Sequence, residues 1–128
     1  MKTFYLISIL ATVLLGILHS LVTFKVYMPF TIEAYWFFSA GLILIFSGIA
    51  NYMNYRTETS LSFRCVLVIN VLLAVFTVFL ASFAAKPTII TALAISGILL
   101  VSSVLHRRII KKNGDLLSSQ IKKTGNYG

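Results

Sequence analysis

The sequence predicts an all-α fold: an integral membrane, antiparallel four-helix bundle with N- and C-termini cytoplasmic. Three observations carry that expectation. The chain has 128 residues, 59% hydrophobic and 11% charged, with mean hydropathy +0.95, whereas soluble domains carry roughly 25% charged residues. Four uncharged runs, each close to the ~20 residues that cross a ~30 Å hydrocarbon core, are separated by short polar breaks. The basic residues also divide unequally. With four spans, Lys2, Arg56, Arg64, Arg107, Arg108, Lys111, Lys112, Lys122 and Lys123 share one face, and only Lys25 and Lys86 the other. The positive-inside rule makes the rich face cytoplasmic, and dropping or adding a span spoils the division.

The first span covers Phe4 to Phe24. Lys2 before an apolar run also suits a cleaved signal peptide, but the run is long and no A-x-A-like site follows, which favours a retained helix. Pro29 then breaks the pattern. Thr31 is placed to cap the next helix, and Glu33 falls in its first turn, where the helix dipole favours a carboxylate. The second span runs from about residue 34 to 53. Asn51, Asn54, Arg56, Glu58, Thr59 and Ser60 mark a polar loop before the third span, 65–85. Lys86-Pro87 makes a tight turn, with proline suited to a first helical position. The fourth span is 88–105, its helix continuing to about 112 and stopping at Asn113-Gly114. A transmembrane domain of residues 1–114 and a flexible cytoplasmic tail of 115–128 follow from this reading.

Composition excludes several functions. Cys65 is the one cysteine, so no internal disulfide, CxxC pair or multi-cysteine metal site exists; a packed free thiol is expected there, with palmitoylation as the alternative. The net charge of +8 gathers at span ends, where topology and anionic lipid headgroups account for it without nucleic acid. Arg107, Arg108, Lys111 and Lys112 are expected to rest on that headgroup surface. Tyr27, Phe30, Tyr35 and Trp36 are placed at the outer boundary, and Tyr5, Tyr52, Tyr55 and Phe63 at the inner one.

Helices in lipid gain little from apolar contact alone, so small and weakly polar residues at helical spacing mark the faces that meet. These are Ser8, Thr12, Gly16, His19 and Thr23 in the first span. The second has Ala40, Leu44, Ser47 and Asn51, with Gly41 and Gly48 beside them. Asn70, Ala74, Thr77 and Ala81 follow in the third, and Ala92, Ser96, Ser103 and His106 in the fourth. Asn51 and Asn70 lie at similar depth and are expected to bond across helices two and three. The same stripes suit a homo-oligomer or a partner membrane protein.

One ionisable side chain falls well inside an apolar span. His19 lies five residues before Phe24, roughly 7–8 Å below the outer boundary at ~1.5 Å per residue. Ionisable residues at such depth mark functional sites by default. With Ser20 beside it, and Glu33 and Trp36 at the mouth of the same hairpin, His19 is placed to bind a polar headgroup or accept a proton. The structural alternative is a neutral histidine hydrogen-bonded to a neighbouring helix, and for Glu33 an ordinary first-turn carboxylate. His19 and His106 sit near opposite faces, roughly 20 Å apart, too far to share a metal or haem. No metal, cofactor, catalytic triad or carboxylate pair is expected.

Gly16 to His19 (G-x-x-H), Glu33 to Leu42 (EAYWFFSAGL) and Gly48 to Asn51 (G-x-x-N) resemble small uncharacterised four-span proteins of bacterial inner membranes, over about the first 55 residues. That resemblance supplies no activity. Small multidrug resistance transporters have a similar size, but they are organised on a glutamate in the first helix, where this chain has Val13-Leu14-Leu15. The vitamin K epoxide reductase-like core requires a cysteine pair that is missing. The functional expectation is a non-enzymatic accessory or binding component with an outer-side pocket. The alternative is an oligomeric transporter or channel subunit with a protonatable His19.

Overall fold

A computed structural model of the chain describes residues 2–26, 31–83 and 86–124, with side chains described to Gln120. Tyr27, Pro29 and Phe30 of the first hairpin, Ala85 of the third apolar run and residues 125–128 lie outside the described residues. Four helices follow one another: α1 (Lys2–Val26), α2 (Ile32–Thr57), α3 (Ser60–Phe83) and α4 (Pro87–Thr124). All four are long and apolar enough to cross a membrane, as in a multi-pass membrane protein. They form an antiparallel bundle in which α1 packs most extensively on α2, and α3 on α4, while α1–α4 and α2–α3 contacts close the ring. The end carrying Lys2 and the α2–α3 turn is termed proximal, and the end carrying Val26, Ile32, Phe83 and Pro87 distal.

The bundle is polar inside and apolar outside. Ser8, Thr12, Ser47, Asn51, Asn70, Ser96, Ser102 and Ser103 are buried, whereas Phe46, Leu72, Phe79 and many other large apolar side chains are exposed. Such an arrangement suits a solvent that is itself hydrocarbon, where packing of small residues and interhelical hydrogen bonds drive association. Gly16 and Gly41 let α1 and α2 approach closely. A Cβ on Gly16 would lie 2.7 Å from the Gly41 carbonyl oxygen and 2.8 Å from the Ile45 side chain, and one on Gly41 would strike the Ser20 hydroxyl. One on Gly48 would strike the Val13 side chain.

Local chemistry sets the helix starts. Thr31, in extended backbone, accepts a hydrogen bond from the Ala34 amide at 3.3 Å and caps α2, and Pro87 opens α4 as its first residue. Three boundaries differ from the sequence reading: the end of α2, the start of α3 and the end of α4. The α2–α3 connection is only Glu58 and Thr59 rather than a longer polar loop. Glu58 adopts a left-handed conformation (φ 52°, ψ 19°), and its amide donates to the Asn54 carbonyl, closing α2. The Thr59 hydroxyl then accepts from the Ser62 amide to open α3. In the third difference, α4 does not stop at Asn113-Gly114 but runs to Thr124. A glycine stop requires the left-handed conformation, and no described glycine has positive φ. Residues 113–120 are therefore an exposed helical extension, not an irregular tail.

Side-chain placement also corrects four expectations. Ser20, not His19, continues the buried face of α1. Tyr5 is fully buried rather than interfacial. Cys65 is exposed rather than packed. Arg107 folds back onto the α2–α3 turn instead of lying free at the surface, while Arg108, Lys111 and Lys112 are exposed.

Candidate functional site

A polar network and a largely apolar cleft stand at opposite ends of the bundle. The network is proximal and continuous. Asn51 Nδ2 donates to Asn70 Oδ1 at 2.8 Å, and Asn70 Nδ2 returns a bond to Asn51 Oδ1 at 3.0 Å. Tyr5 donates its hydroxyl to Asn51 Oδ1 at 2.8 Å and accepts from Asn54 Nδ2 at 3.2 Å. Asn70 also donates to Ser103 at 3.3 Å, and Ser8 and Ser102 hydroxyls meet at 2.8 Å. All four helices are thereby joined through groups that lipid could not satisfy.

At the proximal rim, Glu58 gathers charges from α1 and α4. Its carboxylate pairs with Lys2 at 2.8 Å. Its carbonyl accepts from Arg107 Nη1 at 2.8 Å, and Arg107 also donates to the Ser60 hydroxyl and lies over the Phe63 ring. His106 is buried between Tyr5 and Tyr55, with ring centroids 4.9 and 5.7 Å away. Its Nε2 has no hydrogen-bond partner among the described residues and stands 3.8 Å from the Glu58 carboxylate. Sequence reasoning missed this cluster. Its available signal was that Glu58 is the single acidic residue between the second and third apolar runs.

The distal region is a cleft of about 480 Å³, within the ~300–1,000 Å³ typical of small-molecule sites. Glu33, Trp36, Phe37, Ala40, Ile43 and Leu44 of α2 form one wall. Leu73, Phe76, Thr77 and Leu80 of α3 form the other, with Thr88, Ile89 and Ala92 of α4, and His19 of α1 completes the lining. The sequence-derived trio of His19, Glu33 and Trp36 thus opens on one cavity. Ser20 does not line it: its hydroxyl bonds the Gly16 carbonyl at 3.0 Å and packs against Gly41.

The cleft has distinct polar and apolar parts. His19 is half-buried, its ring stacked on Phe37 with centroids 3.7 Å apart and planes at 16°. Glu33 and Trp36 are exposed near the start of α2. Deeper in, the Thr77 hydroxyl meets Ser96 at 3.0 Å, across α3 and α4. Glu33 makes no ion pair with His19 or Lys25 among the described residues. No three His, Cys, Asp or Glu side chains converge among the described residues. Comparison of the chain with protein-family models, curated proteins and solved structures gives no match.

Proposed function

We propose that this protein is a non-enzymatic binding component of the bacterial inner membrane, with the distal cleft facing outward and both termini cytoplasmic. The observation that carries this reading is the cleft itself: an apolar cavity of about 480 Å³ on which His19, Glu33 and Trp36 open together. Apolar walls with a few polar groups near one end suit a ligand taken up from the lipid phase. The orientation follows from the excess of Lys and Arg at the proximal end. Anionic headgroups are then the natural neighbours of Arg108, Lys111 and Lys112 at the inner surface.

A second reading, an oligomeric transporter or channel subunit with His19 as a protonatable group, is favoured by one feature. Polar side chains continue below the cleft from Thr77 and Ser96 to Asn70 and Ser103, interrupted by the buried Leu73 and Leu99.

Native mass spectrometry after gentle extraction, wild type against His19→Ala, tests the first reading. A stoichiometric small molecule or lipid, present on wild type and depleted from the variant, is expected. A bare chain in both cases overturns the cleft as a site. Proton-coupled flux in proteoliposomes that depends on His19 replaces the first reading with the second.

A further inference from the structure

The chemistry of the cleft's rim narrows the ligand class, an inference that rests on the cleft being a binding site. Glu33 carries the only formal charge among the described lining residues, and it has no ion-pair partner among the described residues. Trp36 lies three positions further on, so carboxylate and indole share a face of α2 one turn apart. A carboxylate attracts a cation, and tryptophan is the strongest cation–π acceptor among the side chains. Beyond them Leu44, Leu73, Phe76 and Leu80 make the walls mainly apolar, and the Thr77 hydroxyl among them is already bonded to Ser96.

We infer that the distal cleft takes an amphiphile with an ammonium-type head, the head held between Glu33 and Trp36 and the apolar body lying along α2 and α3. The starts of α2 and α4 stand at the same rim and carry partial positive charge, which opposes a cation there. At α2 that charge is already met, since Thr31 accepts from the Ala34 amide and Glu33 occupies the first turn. Helix-end charges fall off within a turn and are screened at an exposed rim. Lys25 and Lys86 stand at the same end but outside the lining, so inside the cleft the charge of Glu33 outweighs the helix starts. The head belongs either to a free single-chain amphiphile or to a membrane lipid bearing an amine.

The test uses the full chain in nanodiscs of an uncharged galactolipid, with Trp36, the chain's one tryptophan, as the reporter. Brominated alkyl probes of equal chain length quench its emission: an alkyltrimethylammonium, an alkyl glucoside and an alkyl sulfate. Saturable quenching by the ammonium probe is expected at a concentration about tenfold below the glucoside, the scale of one cation–π contact with an exposed ion pair. Glu33→Gln, a change at an exposed position, narrows the ammonium probe's advantage over the glucoside to the few-fold that the Trp36 contact alone supplies. Ala40→Phe, which fills the cleft, removes saturable quenching by every probe. Phosphatidylethanolamine added to the disc displaces the ammonium probe if the source is a lipid head. Without displacement the source is a free amphiphile, and either result supports the class. Equal binding of ammonium and glucoside overturns the head assignment and leaves the cleft standing. Tighter binding of the sulfate overturns it in favour of the helix starts. No saturable quenching by any probe overturns the cleft reading as well.

Discussion

Asn51 of α2 and Asn70 of α3 exchange two hydrogen bonds, at 2.8 and 3.0 Å, with both side chains fully buried. Each amide completes its bonding elsewhere: Asn51 donates to the Ser47 carbonyl and accepts from Tyr5, and Asn70 donates to Ser103. The pair ties α2 to α3 in the proximal half, below the cleft that parts the same two helices in the distal half. Leu44 and Leu73, buried members of the cleft lining, stand between the two regions, seven and three residues along from Asn51 and Asn70. The network thus closes α2 on α3 at the end opposite the cleft.

Asn70→Ala is expected to destabilise the bundle by about 1–3 kcal/mol, since it removes both reciprocal bonds of Asn51 and the bond to Ser103 from a dry interior, leaving Asn51 only Ser47 and Tyr5 and leaving Ser103 only the Leu100 carbonyl. A double-mutant cycle with Asn51→Ala should return a coupling near ~0.6 kcal/mol, the average for interhelical hydrogen bonds in lipid. Reversible unfolding in mixed micelles gives both values. Strict additivity would remove the reciprocal pair as a tie between α2 and α3.

Two glycines provide an internal contrast. Gly41→Ala drives a Cβ into the Ser20 hydroxyl and to 2.8 Å from the Gly16 carbonyl oxygen. The backbones of α1 and α2 must then separate, at about 1–3 kcal/mol. Nothing lies within 4 Å of a Cβ on Gly97, so Gly97→Ala should be neutral or stabilise α4 by up to about 1 kcal/mol through helix propensity. Thermal denaturation in detergent compares them directly. Equal effects would contradict the close α1–α2 contact.

The spans and the Asn51–Asn70 bond were legible because hydrocarbon leaves a buried amide few alternatives. The grouping of His19, Glu33 and Trp36 was legible because one hairpin brings them to one end. The opposite wall, with Phe76, Thr77 and Thr88, depends on how α2 and α3 close the ring, which no local pattern encodes. Tyr5 was misread because an aromatic next to a basic terminus looks interfacial, and only the amides of Asn51 and Asn54 make its burial favourable. The Asn113-Gly114 pair suits a helix stop or a helix interior equally well by composition. Nothing in the polar run around Glu58 announces a left-handed turn of a single glutamate, or that Arg107 would reach back to it.

The proximal rim has a pH signature. The Lys2 ammonium is held above its ordinary 10.5, first by the hydrogen bond to Glu58 and then by the carboxylate's charge. Because the folded value is the higher one, the pair's contribution is fully present below 10.5 and is lost as pH climbs through the raised value. NMR titration of the Lys2 ε-methylene signals should show an upward displacement that Glu58→Gln abolishes. Lys2 is exposed, so little change in stability should accompany the loss. An unshifted Lys2 would mean that solvent breaks the pair.

The proposed orientation predicts which face each end meets. Lys25, in the last turn of α1, and Lys112, on the exposed part of α4, lie toward opposite ends of the bundle. With Cys65 replaced by serine, Lys25→Cys and Lys112→Cys each give a single thiol. A membrane-impermeant maleimide should label Lys25→Cys in intact cells and Lys112→Cys only in inverted vesicles. The opposite pattern would turn the bundle over and place the cleft on the cytoplasmic side, against the charge rule. The cleft's geometry would be unchanged, but its ligand would then have to come from the cell interior.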